Sequence, residues 1–145
     1  FSDGVLDGEA ALPSLWPAMD GEWHTDAAKY NDKKCFDVVA GVFLTPMTTA
    51  AHGNLWVQPG SHTSERAARE ASGRSKGLND AALAAGEYSS EQATPIRTWR
   101  PGSVIIFDKD LVHAGGPNLS PDIRYALYYR LRFERTAAQD GNGGE

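Results

Sequence analysis

The segment Glu22–Asp26 places a histidine and a carboxylate at a spacing that suits metal ligation. An aromatic residue and a threonine between turn-forming residues predict a strand over 22–27. Alternate strand residues share a face, so His24 and Asp26 would project together. With a distant histidine they would form a two-histidine, one-carboxylate site, which leaves three metal positions open as in non-haem Fe(II) oxygenases. A solvated surface pair is the alternative interpretation, because so short a motif often occurs by chance.

His113 is the candidate for the third ligand, in a short apolar strand before a Gly-Gly-Pro turn. A core histidine bonded to a carbonyl is the alternative. Arg124 follows eleven residues later, so we expect the two strands to run antiparallel, side by side, with Arg124 deeper in the same barrel. An inward arginine needs a carboxylate partner, and its fork geometry binds one bidentately. Such a site would accept 2-oxoglutarate, with its keto acid on the metal and its far carboxylate on Arg124.

Length and composition predict one globular domain, because 145 residues with 41% hydrophobic and 23% charged residues can form a real core. A net charge of −5 without a basic stripe argues against nucleic acid as a partner. No apolar run has the length of a membrane span, so no membrane partner is expected. The single cysteine suits a reducing compartment and favours a cytoplasmic location. A first residue other than Met is consistent with a fragment that lacks N-terminal elements.

Strand signals dominate the chain between turns rich in glycine and proline. The predicted strands cover 22–27, 36–44, 55–57, 95–99, 103–107, 112–114 and 123–133, and the second is apolar on both faces like a central strand. A helical insertion is predicted over 63–86, with one helix capped by Thr63 or Ser64 and a shorter one near 81–85. The pattern favours an all-β sandwich or jelly roll over 1–135. The polar, glycine-rich residues 136–145 are predicted to be a disordered tail.

The last predicted strand has two contrasting faces. One face carries Arg124, Ala126, Tyr128 and Arg130, and the other carries Tyr125, Leu127, Tyr129, Leu131 and Phe133. The second face is too apolar to be left in water. We therefore expect N-terminal helices or a partner chain to cover it, and the sequence favours a homo-oligomer formed through this face.

Four blocks in this order resemble the phytanoyl-CoA dioxygenase family of Fe(II)/2-oxoglutarate oxygenases. The blocks are Trp23–Asp26, Gly53–His62, Pro101–Phe107 and His113–Asn118 followed by Arg124, and the resemblance covers about residues 21–133. It implies a double-stranded β-helix, which is a cupin-like jelly roll. It also implies Fe(II), 2-oxoglutarate and O2 as cofactors, with decarboxylation of 2-oxoglutarate to succinate and CO2 and hydroxylation of a small-molecule substrate.

The same resemblance implies a role for individual residues. His24, Asp26 and His113 would be the iron ligands and catalytic residues, and Arg124 would pair with the far carboxylate of 2-oxoglutarate. Two further residues are candidates for the cosubstrate pocket. Tyr128 shares a predicted face with Arg124, although packing explains it equally well, and Thr45 ends the predicted central strand.

The chain departs from the family pattern in one position of the site. Many members have Ser or Thr two residues after the distal histidine, where Gly115 stands here. Retention of Asp26 argues against a halogenase, because halogenating relatives replace that carboxylate. Two alternatives stay open: a non-catalytic or truncated jelly-roll binding relative, and a cupin-type metalloenzyme that does not use 2-oxoglutarate. Arg124 discriminates between the oxygenase and the cupin.

Overall fold

Short apolar strands pair into two antiparallel sheets in the computed structural model, which describes residues 13–14, 22–26, 36–72, 87–98 and 100–133. The elements are β1 (Val38–Phe43), β2 (Leu55–Val57), α1 (Ser61–Ser72), β3 (Thr94–Pro95), β4 (Ser103–Asp108), β5 (His113–Gly115) and β6 (Ala126–Leu131). The strand orders are β4-β1-β6 in one sheet and β3-β2-β5 in the other. The expectation of an all-β architecture with a helical insertion is therefore confirmed for the described residues.

Strand β1 is central, as its apolar and β-branched sequence predicts. It pairs antiparallel with β4 on one side and with β6 on the other. Gly41 lies opposite Ile105 in one register and opposite Tyr128 in the other. Strand β2 has the same central place in the second sheet, where all three of its residues are buried.

The two sheets share a core. One cluster of buried residues joins β1, β2 and β4 and consists of Phe36, Val39, Leu55, Val57 and Phe107. A second cluster lies around Trp56 and contains Trp23, Ala50, Ala51, Tyr88, Val112 and Ala114. The residues that flank His24 and His113 in sequence therefore belong to the core, which anchors the backbone of both histidines.

Helix α1 begins at Ser61, earlier than the predicted caps Thr63 and Ser64. Gly60 closes the preceding turn with a φ of +83°, a conformation that glycine adopts without strain, and the helix starts at the next residue. The Ser61 hydroxyl accepts a hydrogen bond from the Val112 amide at 2.9 Å, so it connects α1 to the segment before β5. The second predicted helix near 81–85 and the tail 136–145 lie outside the described residues.

Several predicted strands are shorter than expected in the described part of the chain. In the predicted segment 22–27, the described residues 22–26 contribute one bridge, between His24 and His113, instead of a full strand. In the predicted segment 95–99, the described residues 95–98 contribute the end of β3 and a bridge between Met47 and Thr98. Residues 123–125 precede β6, so Arg124 lies just before the strand.

The predicted pairing of the His113 strand with the last strand is wrong. β5 pairs with β2, whereas β6 pairs with β1 in the other sheet. His113 and Arg124 therefore approach each other across the space between the sheets. The reason is that β2, a short strand whose three residues are all buried, pairs with the edge of β5.

The outer face of the β4-β1-β6 sheet is apolar and exposed. Ile106 is 66% exposed and Val104 60%, and Leu127, Tyr129 and Leu131 on β6 are also exposed. Association of two copies through this face stays a prediction. In the part of the chain that the structure describes, no helix is both long enough and apolar enough to cross a membrane.

Candidate metal centre

His24, Asp26 and His113 converge although they are distant in sequence. One potential ligand atom from each of the three side chains lies within 4.8 Å of the other two. Asp26 and His113 are buried, and His24 is partly buried. Two imidazoles and one carboxylate are the donor set of the facial triad that binds iron in non-haem oxygenases. The residues therefore fit an iron ion by the chemistry of their donors.

The backbone holds the two histidines together. The amide N–H of His24 donates to the carbonyl of His113 at 3.0 Å, and the His113 amide donates to the His24 carbonyl at 2.9 Å. This reciprocal pair forms the antiparallel bridge between the residues. The two rings consequently lie side by side, with centroids 4.4 Å apart.

A carbonyl group fixes the tautomer of each histidine. The Nδ1 of His24 lies 2.7 Å from the Glu22 carbonyl oxygen, and the Nδ1 of His113 lies 2.9 Å from the Leu111 carbonyl oxygen. A carbonyl can only accept, so Nδ1 carries the proton in both rings. The lone pair of each neutral ring is then on Nε2, and a carbonyl behind Nδ1 is the usual support of a metal-ligating histidine.

The two oxygens of Asp26 face different partners. Oδ2 lies 4.0 Å from His113 Nε2, and Oδ1 lies 3.7 Å from Arg130 Nη2. The Arg130 guanidinium also lies over the Phe36 ring, 5.3 Å from its centroid. Sequence reasoning placed Arg130 on the face of Arg124 but assigned it no role. The alternation of β6 was the available signal, and its contact with Asp26 could not be read from spacing.

A cavity of about 310 Å³ opens between the two sheets at the three candidate ligands. Its lining includes His24, Asp26, His113, Gly115, Arg124, Tyr128 and Arg130, together with Val39, Leu55 and Phe107. The structure thus brings together five of the predicted site residues: His24, Asp26, His113, Arg124 and Tyr128. Apolar walls with a few convergent polar groups are typical of a small-molecule site.

Arg124 has no carboxylate partner among the residues that the structure describes. Its side chain passes Gly53, where an added Cβ would lie 3.6 Å from Arg124 Cδ and 3.2 Å from Asn118 Cβ. Gly53 has a φ of +66°, so glycine is favoured there on both conformational and steric grounds. The cavity therefore contains a cation that can accept an anionic ligand.

Thr45 lies apart from the candidate metal ligands. It lines a neighbouring cavity of about 330 Å³, which Arg124 also borders. Its hydroxyl oxygen accepts a hydrogen bond from the Tyr125 amide at 3.0 Å. The position of Thr45 is thus explained by holding the segment next to Arg124, and its contact with a cosubstrate stays a prediction.

Helix α1 supports the loop that precedes His113. Asp110 in this loop is 1% exposed, and its Oδ2 accepts from Arg69 at 2.6 Å and lies 3.5 Å from Arg66 Nε. Arg66 also pairs with Asp108. These ion pairs join the helix to the end of β4, so they help to place the distal histidine.

No curated protein matches the chain significantly. Among solved structures, the chain is similar to iron-bound HygX from Streptomyces hygroscopicus, at 18% identity and a TM-score of 0.45 over 74% of this chain. The aligned part is 49% of the HygX chain, so this chain spans about half the length of that relative.

The family comparison covers most of the chain. The model of the family described as phytanoyl-CoA dioxygenase (PhyH) matches residues 17–126. The matched range contains all three candidate metal ligands and Arg124. The chain therefore belongs to the phytanoyl-CoA dioxygenase family.

Proposed function

We propose that this chain is the catalytic part of an Fe(II)- and 2-oxoglutarate-dependent oxygenase that hydroxylates a small molecule. Family membership and the convergence of His24, Asp26 and His113 support the proposal that the protein binds iron. The observation that supports 2-oxoglutarate as cosubstrate is the position of Arg124, which lines the same cavity and has no carboxylate partner among the described residues. We further propose that the β4-β1-β6 and β3-β2-β5 sheets are the two sides of a double-stranded β-helix.

Each side chain has a defined task in this proposal. His24 and His113 would bind the metal through Nε2, because their Nδ1 atoms donate to carbonyls. Asp26 would bind through one carboxylate oxygen. Iron held by these three residues would supply the activation of O2 and the decarboxylation of a keto acid.

Arg124 would select and orient the cosubstrate. A guanidinium binds a carboxylate through two parallel hydrogen bonds, which fixes both the position and the direction of the ligand. Tyr128 lies beside it in the cavity wall, where its ring can flank the carbon chain of a dicarboxylate. Val39, Leu55 and Phe107 provide apolar walls for the same cavity.

The substrate is proposed by class only. A cavity of about 310 Å³ is at the lower end of the range for small-molecule sites and suits the cosubstrate with part of a small substrate. The single cysteine in the sequence supports a reducing, cytoplasmic location as part of the same proposal.

Substitution of Arg124 tests the proposed function. We expect Arg124→Ala to retain Co(II) or Fe(II) while its affinity for 2-oxoglutarate falls by about 100-fold, in line with the loss of a charge-assisted, bidentate contact. Arg124→Lys should lose less of its affinity for 2-oxoglutarate, because lysine keeps the positive charge although it lacks the planar guanidinium group. Titration calorimetry on metal-loaded protein measures both affinities. An unchanged affinity for 2-oxoglutarate in Arg124→Ala would favour a cupin-type enzyme and contradict the proposal.

A further inference from the structure

We propose that Arg130 is a positioning residue that turns one oxygen of Asp26 toward the metal and holds the other away from it. This inference rests on the proposed function, since it concerns the ligand geometry of the same site. It adds a residue that neither the motif spacing nor the family match identifies.

The Asp26 carboxylate lies between a histidine and an arginine. Oδ2 faces His113 Nε2 at 4.0 Å, while Oδ1 faces Arg130 Nη2 at 3.7 Å. The Asp26 side chain is only 12% exposed, so water screens this ion pair less than it screens a surface pair. The carboxylate is therefore oriented before a metal ion binds, with one oxygen directed to the ligand cluster.

Strand pairing and a ring contact are two of the interactions that hold Arg130 among the described residues. Its strand, β6, is paired along its length with β1, and Arg130 lies opposite the buried Val39. Its guanidinium lies 5.3 Å from the centroid of Phe36, a ring that is 5% exposed. The planar cation can stack on that ring while an Nη atom faces Asp26. The Arg130 side chain is still 48% exposed, so it can be replaced without opening a core cavity.

The consequence concerns the number of ligand positions. A carboxylate with one oxygen engaged by a cation binds a metal through its other oxygen. A carboxylate without that partner can bind through both, which would occupy a position that a keto acid or O2 needs. Arg130 would thereby preserve the open side of the metal.

A competing effect has the opposite sign. The charge of Arg130 repels a divalent cation, so a purely electrostatic role predicts tighter metal binding when Arg130 is neutralised. Positioning predicts weaker binding, because outer-shell partners of metal ligands typically contribute 10- to 100-fold in affinity. The direction of the change therefore separates the two effects.

The test is a Co(II) titration followed by the visible absorption of the bound ion, which reports its coordination. The variants are Arg130→Met, Arg130→Lys and, as a control, Arg132→Met. Arg132 is an exposed arginine two residues along that does not line the cavity, so its substitution removes the same charge without touching Asp26. We expect 10- to 100-fold weaker binding with a changed spectrum for Arg130→Met, a smaller loss for Arg130→Lys and a change within twofold for Arg132→Met.

Each outcome decides the inference. Equal or tighter Co(II) binding by Arg130→Met, with the spectrum of the parent protein, overturns the positioning role and leaves the proposed function intact. A parent protein that binds no Co(II) overturns both together. Thermal unfolding of each variant verifies the fold. If Arg130→Met does not fold, the spectrum and the Co(II) affinity of Arg130→Lys decide. This variant keeps the positive charge but loses the planar guanidinium group, so it should still bind Co(II) more weakly than the parent.

Discussion

His24 and His113 are joined by two reciprocal backbone hydrogen bonds, of 3.0 and 2.9 Å, although they are far apart in sequence. The distance between the two candidate imidazole ligands is therefore set by main-chain pairing and not by side-chain packing. The core residues Trp23 and Ala114 flank the bridge, one in each of its two segments. A substitution that removes one ring should accordingly leave the other in place.

The first prediction concerns His113. We expect His113→Ala to lose metal binding by at least about 100-fold, because a facial site that loses one of three protein ligands keeps little affinity. Co(II) titration measures this loss. His62→Ala, on helix α1 and outside the cavity lining, serves as the matched control and should bind like the parent. Tight binding of one equivalent by His113→Ala would remove this residue from the site.

The second prediction concerns the connection between helix α1 and the loop before β5. Asp110→Asn keeps the shape of the side chain but weakens its contacts with Arg66 and Arg69. We expect a loss of about 2 to 3 kcal/mol in the free energy of unfolding, the usual size for hydrogen bonds to a charged group that is nearly buried. Urea denaturation measures it, with the exposed Asp122→Asn as control. Equal stability of the two variants would show that the connection contributes nothing.

The third prediction uses the close approach of Gly41 to Tyr128. A Cβ at residue 41 would lie 2.8 Å from Tyr128 Cε1 and 3.0 Å from Ile105 Cγ2. Gly41→Ala should lower the free energy of unfolding by about 1 kcal/mol. This is at the lower end for overpacked substitutions, because the half-exposed Tyr128 ring can move. The displaced ring should also weaken 2-oxoglutarate binding severalfold. Gly115→Ala is the control for stability, since nothing lies within 4 Å of its Cβ position.

The fourth prediction is a pH dependence that originates at Tyr88. Burial, together with the hydrogen bond that its hydroxyl donates to Glu65, raises the pKa of Tyr88 above its ordinary value of 10.0. The folded state then keeps a proton that the unfolded state releases, so stability is unaffected below about pH 10 and falls as the pH rises further. Urea denaturation at about five pH values between pH 8 and pH 11 measures how the free energy of unfolding changes with pH.

A comparison of two variants isolates the contribution of Tyr88. The Tyr88 hydroxyl should contribute a loss of unfolding free energy as the pH rises above about pH 10, and this contribution should be absent in Tyr88→Phe. Tyr129→Phe, which alters a half-exposed residue, should lose stability with pH as the parent does. If Tyr88→Phe and the parent lose stability at the same rate with rising pH, the buried hydroxyl is not the group responsible.

The strands that sequence predicted best are those whose residues are apolar on consecutive positions. The predicted 103–107 agrees with β4 to within one residue, and 36–44 contains β1, because β-branched runs of this length are buried in almost any β fold. The strand predicted over 22–27 is reduced, in its described residues 22–26, to one bridge between His24 and His113.

The candidate site was predictable in its residues but not in its geometry. The His-x-Asp spacing and the distal histidine indicated the cluster, which the structure brings together within 4.8 Å. The topology that places Arg124 beside it was predicted incorrectly, since strand partners are decided by packing between distant segments. The contact of Arg130 with Asp26 is of the same kind, because it joins two segments whose separation in sequence has no periodic signal.

The most direct measurement is anaerobic visible spectroscopy of the metal-free protein after addition of Fe(II) and then 2-oxoglutarate. A keto acid chelated to Fe(II) gives a weak charge-transfer band in the visible region, which requires both the three ligands and open metal positions. We predict that the band appears with 2-oxoglutarate in the parent protein and is absent in His113→Ala. Iron binding by the parent without this band, at saturating 2-oxoglutarate, would contradict the account and indicate a metal-binding relative that does not use this cosubstrate.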